Sequence, residues 1–221
     1  MDLRSPLKGL LIVPKLYTIG HSLHSIDRFI ELLNDYEINC VIDVRSTPFS
    51  KFSPQYNTAE IKKILKDNQK YYIFMGKEFG ARRSETELYD SNGFLDFEKV
   101  IKSSLFQLGV KRVKNGLNKG YNISFMCTEK DPFDCHRSIL VGRAFADEKF
   151  KVLNIHADGS LETQDKLIER LLNYYFPNRN QASIFDILEG EQSKDELVHE
   201  AYILRNKDIA YKLEKETAGI T

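Results

Sequence analysis

Apolar residues follow two alternating periods along most of the chain: short runs that suit buried strands, then stretches with one apolar face per helical turn. Residues 16–20 (Leu-Tyr-Thr-Ile-Gly) form a β-branched and aromatic run ending at Gly20. Ile26, Phe29, Ile30 and Leu33 then recur at helical spacing behind Ser25, a residue type that caps helices by accepting from free N–H groups. Residues 40–44 read as a second, buried strand, and residues 59–68 as a helix carrying Ile61, Ile64 and Leu65 on one face. A third strand at 71–74 precedes a polar stretch, 76–93, that exceeds an ordinary connection. The pattern then predicts a helix over 94–117 broken near Gly109, a strand at 123–127, a helix over 134–147, a strand at 152–156, and a helix over 163–176 with Leu167, Leu171 and Leu172 inward.

Strand-then-helix units in succession predict an α/β fold, because parallel strands need crossovers and these cover the sheet on both faces. The expectation is a three-layer α/β/α domain over residues 16–176 with a mainly parallel five-stranded sheet. Residues 1–15 form an N-terminal extension. Beyond Pro177 the composition changes to nine acids (Asp186, Glu189, Glu191, Asp195, Glu196, Glu200, Asp208, Glu214, Glu216) against six Lys or Arg, which predicts an acidic, largely helical and partly mobile C-terminal tail over 177–221.

Composition narrows the partners. With 221 residues there is room for one domain of ordinary size plus an appendage. Lys plus Arg and Asp plus Glu are both 32, so no overall polycation argues for bulk nucleic-acid or membrane-surface binding. Apolar residues make up 42%, including 14 Phe and 11 Tyr, enough to build a core. The three cysteines, Cys40, Cys127 and Cys135, are an odd, irregularly spaced set that suits a reducing, cytoplasmic setting better than a disulfide framework. The apolar cluster at residues 10–13 is shorter than a signal-peptide core of about 7–15 residues, and no run approaches the roughly 18 apolar residues of a membrane span. The protein is expected to be soluble, with no membrane partner.

In open α/β sheets, ligands sit outside the carboxyl ends of the strands, and the residues there are chemically capable. His21 and Ser22 follow the first strand, Asp43 and Arg45 end the second, and Glu78, Arg82 and Arg83 lie beyond the third. The fourth leads into Cys127, Thr128 and Glu129, and the fifth ends at His156. Arg45, Arg82, Arg83, His21 and Arg137 near one another would repel unless an anion or the carboxylates Asp43 and Glu129 offset them, so a phosphate or another anion is the natural partner. The segment from Cys127 to Arg137 holds Asp131-Pro132 and then a helix start; with Asp134 as cap, Cys135, His136 and Arg137 would occupy the first turn, where free N–H groups attract anions.

Asp43 and Glu129 are the acid/base candidates, although Asp43 could equally brace its loop by pairing with Arg45 or Arg137. Cys135 beside His136 offers a thiolate nucleophile, but buried structural cysteines are commoner. Cys127, Cys135 and His136 lack standard zinc spacing, so no metal is expected. Neither GxGxxG nor GxxxxGK[ST] occurs, and no dinucleotide or other cofactor is expected. Lys111, Arg112, Lys114 and Lys119, with Tyr56, Tyr71 and Tyr72, could form a track for single-stranded nucleic acid, or simply a solvated face.

These residues also carry a resemblance. Thr18-Ile-Gly-His-Ser22, Asp43-Val-Arg45 with Pro48 and Ser50, Phe79-Gly-Ala-Arg-Arg83, and Cys127-Thr-Glu129 with Cys135-His-Arg137 resemble the successive motifs of the domain of unknown function 488 family over about residues 16–176. The resemblance implies the α/β architecture and the site residues His21, Ser22, Asp43, Arg45, Pro48, Glu129, Cys135, His136 and Arg137; it implies no particular reaction. Gly80-Ala81 departs from the pattern, which would have two successive glycines. Two functions are expected to compete: an enzyme, hydrolase or transferase, cleaving a glycosidic or phosphate-adjacent bond in a phosphorylated nucleotide-like or nucleic-acid substrate, and a non-catalytic module binding the same ligands. A scaffold with an internal salt-bridge network is the third and plainest possibility.

Overall fold

The computed structural model describes residues 14–22, 24–179 and 193–213. Six strands form one sheet: β1 (Lys15–Gly20), β2 (Cys40–Asp43), β3 (Tyr71–Phe74), β4 (Ile123–Cys127), β5 (Lys151–Ile155) and β6 (Leu161–Thr163), in the order β3-β2-β4-β1-β5-β6. The first five are parallel and β6 runs antiparallel to β5. The sheet is therefore mainly parallel as expected but has a sixth strand, whose three residues are too few to show a period.

Side chains alternate between the two faces of each central strand, and this builds two cores. Tyr17, Ile19, Val41, Met126, Leu153 and Ile155 pack on one side with Phe29, Leu32, Leu33, Ile61 and Leu65. Those partners come from α1 (Ile26–Asp35) and α2 (Thr58–Asp67). Leu16, Cys40, Ile42, Ile123, Phe125 and Val152 face the other side, against α3 (Gly76–Phe79), α4 (Phe97–Lys102), α5 (Ser104–Asn118), α6 (Arg143–Asp147), α7 (Gln164–Tyr175) and α8 (Lys194–Ile209). The layers are α/β/α. Phe29, Leu32 and Leu33 are wholly buried, each contributing roughly 1.5–3 kcal/mol relative to exposure.

Local chemistry explains where elements begin and break. Ser25 Oγ accepts from Arg28 N and caps α1. The expected single helix over 94–117 is two helices that part at Ser103, whose hydroxyl caps α5 by accepting from Phe106 N. Gly109 does not break the helix: a Cβ there would lie 2.8–3.0 Å from Glu78 and the Phe79 ring, so glycine lets α5 approach α3 closely. The helix expected over 134–147 is instead a π-helical turn, Arg137–Gly142, running into α6. Asp134 caps neither; it lies in the 3₁₀ turn Pro132–Asp134 and pairs with Arg205. The turn is fixed by a buried network in which Thr18 Oγ1 and Ser138 Oγ each donate to Asn154 Oδ1 at 2.8 Å, and Gln164 Nε2 donates to the Ser138 carbonyl at 3.1 Å.

Helix α8 packs against α7 and buries Ala201, Tyr202 and Arg205. Its start carries a capping box between Ser193 and Glu196. The N-terminal extension up to residue 13, and the mobility expected of residues 180–192 and 214–221, lie outside the described residues. Among the described residues no helix is long and apolar enough to cross a membrane.

Candidate functional site

The carboxyl ends of β2, β4 and β1 lie side by side, with Asp43 in register with Met126 and Gly20 with Cys127. Beyond them a cleft of about 430 Å³ is lined by Arg45, Phe49, Arg82, Glu129, Cys135 and His136, among others. Parallel sheets place ligands at such an edge, where loops from several strands meet. Of the ten residues expected at the site, Arg45, Arg82, Glu129, Cys135 and His136 share this cleft. His21, Ser22, Asp43, Arg83 and Arg137 do not line it.

Asp43 is fully buried and already occupied. Its Oδ1 accepts from the Arg45 amide (3.1 Å) and Nε (2.9 Å), and its Oδ2 from Arg45 Nη2 (2.6 Å) and the Tyr72 hydroxyl (2.8 Å). Arg45 Nη2 also donates to the Tyr56 carbonyl at 2.7 Å. Of the two expected roles for Asp43, the geometry supports the brace: no lone pair is left aimed at the cleft. Arg137, expected at a helix N-terminus gripping an anion, is fully buried and donates to the carbonyls of Glu129 (2.7 Å) and Lys130 (3.3 Å). It holds the loop after β4 from inside. Arg83 is likewise buried, donating to the carbonyls of Lys77 and Glu78 where α3 ends. Two of the expected cations thus direct their Nη groups to backbone oxygens, because those buried donors need acceptors and the carbonyls of the neighbouring turns supply them.

Ser22 is half-buried with φ 43°, a left-handed conformation at the end of β1. His21 lies under the loop after β2, stacked on the Tyr56 ring at 4.1 Å. Arg45 Nη1 sits 3.2 Å from His21 Nε2, and a guanidinium can only donate, so Nε2 is the bare nitrogen and Nδ1–H donates to the Ser22 carbonyl at 3.1 Å. Burial first, and the Arg45 charge second, push the imidazole down to about 4. His21 therefore stays neutral in the fold while the unfolded chain takes up a proton below about 6.5. Stability is expected to fall as pH drops from about 6.5 towards about 4, by about 2 kcal/mol or more at 1.4 kcal/mol per unit. Urea denaturation at the two ends of that window checks it: His21→Gln should flatten the dependence, and an unchanged slope would assign it to other groups.

The cleft itself is less cationic than expected. Arg82 is exposed and lies over the Tyr211 ring at 4.9 Å, with its amide bonded to Ser46 Oγ at 2.9 Å. Glu129 is exposed, and the partial burial of its carboxyl, helped by the Cys135 thiolate and opposed by Arg137, raises it above the ordinary value. Ala81, at the position where a second glycine would follow Gly80, lines the cleft wall.

Cys127, Cys135 and His136 come together at the floor. Their ligating atoms lie within 4.8 Å of one another, with Cys127 Sγ 3.7 Å from His136 Nδ1. His136 Nε2 lies 3.0 Å from the Val44 carbonyl, which can only accept, so Nε2 carries the proton. The Cys127 thiol is raised, by its bond to Cys135 and by burial. Burial acts on Cys135 too, but the bond to Cys127, the Arg137 charge and His136 outweigh it and hold this thiol well below the ordinary value. The loop joining these residues is clamped from the C-terminal helices. Arg205 of α8 donates to the Phe133 carbonyl at 3.0 Å, Arg170 of α7 pairs with Asp131 at 2.7 Å, and the two guanidiniums flank the Phe133 ring.

The sequence reading missed Phe49 and Tyr211. Phe49 is 65% exposed beside the cleft, and Phe52, on the same loop, is 95% exposed; the signal was present as two aromatic residues in an otherwise polar loop. His156, at the end of β5, is not in the cleft and pairs with Glu162 at 3.2 Å. In the basic group 111–119, Arg112 pairs with Glu78 and Lys114 with Glu148, as on a solvated face.

Searches of the curated proteins and of the solved structures return no match. A family model described as Domain of unknown function DUF488 matches residues 25–144, a span that takes in Asp43, Arg45, Arg82, Glu129 and the Cys127–Cys135–His136 group and leaves out the Thr18–Ser22 motif. With more than half of its length matched in this way, the chain belongs to the DUF488 family.

Proposed function

We propose that the cleft is the active site of an enzyme acting on a phosphorylated, nucleotide-like or nucleic-acid substrate. The observation that carries this reading is the convergence of an exposed carboxylate, Glu129, an exposed cation, Arg82, and an exposed aromatic ring, Phe49, on one hollow at the carboxyl edge of a parallel sheet. A base or sugar ring stacks on an aromatic face, a phosphate takes a guanidinium, and a carboxylate within reach of the bond joining them supplies or removes a proton. Glu129 is the acid/base group in this reading and Arg82 the phosphate contact. Arg45 contributes by orientation, since Asp43 fixes its buried guanidinium in the cleft wall.

Glu129→Gln keeps the shape and hydrogen-bonding length of the side chain while removing its proton chemistry. Turnover of a panel of nucleotides and single-stranded oligonucleotides, followed by release of base or phosphate, should fall by about 100-fold or more, with ligand-induced thermal shifts retained. Equal rates in the variant would remove Glu129 from the chemistry.

The exposure of both Phe49 and Phe52 supports a second reading, a binding platform without catalysis. Its signature is a thermal shift that Arg82→Ala and Phe49→Ala abolish, with no product from any ligand that binds.

A further inference from the structure

The floor of the cleft has the donor set of a metal centre. Cys127 ends β4, and Cys135 and His136 return to it after the turn clamped by Arg137, Arg170 and Arg205. We propose that Cys127, Cys135 and His136 bind a zinc(II) ion, with its fourth coordination position open to the cleft.

The distances fit. A tetrahedral zinc with Zn–S near 2.3 Å and Zn–N near 2.0–2.1 Å separates sulfur from nitrogen by about 3.6 Å and sulfur from sulfur by about 3.8 Å. Cys127 Sγ and His136 Nδ1 are 3.7 Å apart, and all three donor atoms fall within 4.8 Å, so sub-ångström shifts close the set.

The imidazole is already prepared for this role. Because Nε2–H is committed to the Val44 carbonyl at 3.0 Å, Nδ1 is the nitrogen turned toward Cys127 and the one available to ligate. Histidines on metals are oriented in this way, by a hydrogen bond from the other ring nitrogen to a carbonyl or carboxylate. Two thiolates and an imidazole make a soft set that favours zinc over magnesium or calcium, and binding displaces the thiol protons to solvent.

Three protein ligands leave the coordination sphere incomplete, and Cys127, Cys135 and His136 line the same cleft as Glu129 and Thr128. Sequence spacing hid the centre, since an x7 gap followed directly by His matches no standard zinc pattern; the strand end and the return of the loop bring the ligands together. The ion's presence is independent of the substrate assigned to the cleft, so each can fail without the other.

The test uses the full chain, reduced, stripped with a chelator, desalted and re-exposed to zinc or cobalt(II). Stoichiometric zinc should remain after a second desalting, and cobalt should give the ultraviolet thiolate-to-metal charge-transfer band and intense visible bands of a tetrahedral site. Cys127→Ser, Cys135→Ser and His136→Gln should retain no zinc. Cys40→Ser should retain all of it, because Cys40 pairs in register with Ile123 at the far end of β4 from Cys127. The cobalt spectrum of the unaltered chain keeps the proposal falsifiable if a variant fails to fold. Reduced protein that takes up neither ion, cobalt bands without thiolate charge transfer, or zinc retained by either Cys→Ser variant overturns it.

Discussion

Replacing Asp43 with Ala should destabilise the fold by about 3–5 kcal/mol, the range for removing one partner of a buried ion pair. The Arg45–Asp43 pair has side-chain exposures of 6% and 0%, with the shortest contact at 2.6 Å. Removing the carboxylate leaves the Arg45 charge in a low-dielectric site with the Tyr56 carbonyl and His21 as the remaining hydrogen-bond partners of its side chain among the described residues. The double variant Asp43→Ala, Arg45→Met removes both charges and should be less destabilised than the single one, because the penalty comes mostly from the stranded cation. Urea denaturation of the three proteins reads this directly. A single variant as stable as the parent would mean that Asp43 does not brace the loop and would return it to the list of catalytic candidates.

The second large effect is expected at Gly20. A Cβ built there lies 1.8 Å from the Glu129 carbonyl oxygen and 3.2 Å from Arg137 Nη1. Neither strand can yield cheaply, since His21 N bonds the Cys127 carbonyl at 2.9 Å and Ser22 N the Thr128 carbonyl at 2.8 Å just beyond. Gly20→Ala must therefore displace the loop after β4 and break its bond to Arg137, at a cost at the upper end of overpacking, about 3 kcal/mol or more. Gly142→Ala is the milder comparison: it sits in helical backbone and its nearest atoms lie at 3.3–3.4 Å, so the neighbours need give by only a few tenths of an ångström and the loss should be much smaller than at Gly20. Melting temperatures of the two variants distinguish a general intolerance of added methyl groups from the specific contact at Gly20. Equal melting temperatures would argue that the loop is free to move.

These two positions show how the sequence and the fold share the description. The Gly20 position, the Asp43-Val-Arg45 segment and the loop from Cys127 to Arg137 were all marked by residue type and by their place after apolar runs, and the sheet edge does assemble them. What side-chain chemistry alone could not give was direction. Arg45, Arg83 and Arg137 are equally cationic in the sequence and all three are buried, yet Arg137 and Arg83 turn to carbonyls away from the cleft while Arg45 is held by Asp43 in the cleft wall. The acidic tail looked like an appendage because α8 has no pronounced apolar face of its own; its docking rests on particular residues, Arg205 on the Phe133 carbonyl and Tyr202 accepting from Gln164 Nε2 at 2.9 Å.

By itself the sequence determined the α/β alternation, the parallel core of the sheet, the edge at which polar chemistry collects and the family. Periodicity and strand-end position are local properties, so a one-dimensional reading captures them. Only the tertiary structure decided which charged groups are spent internally, that Cys127 meets Cys135 and His136, and that helices α7 and α8 clamp the loop carrying them. Those outcomes depend on where a backbone carbonyl or a second side chain happens to lie once distant segments pack, and no spacing rule along the chain encodes that.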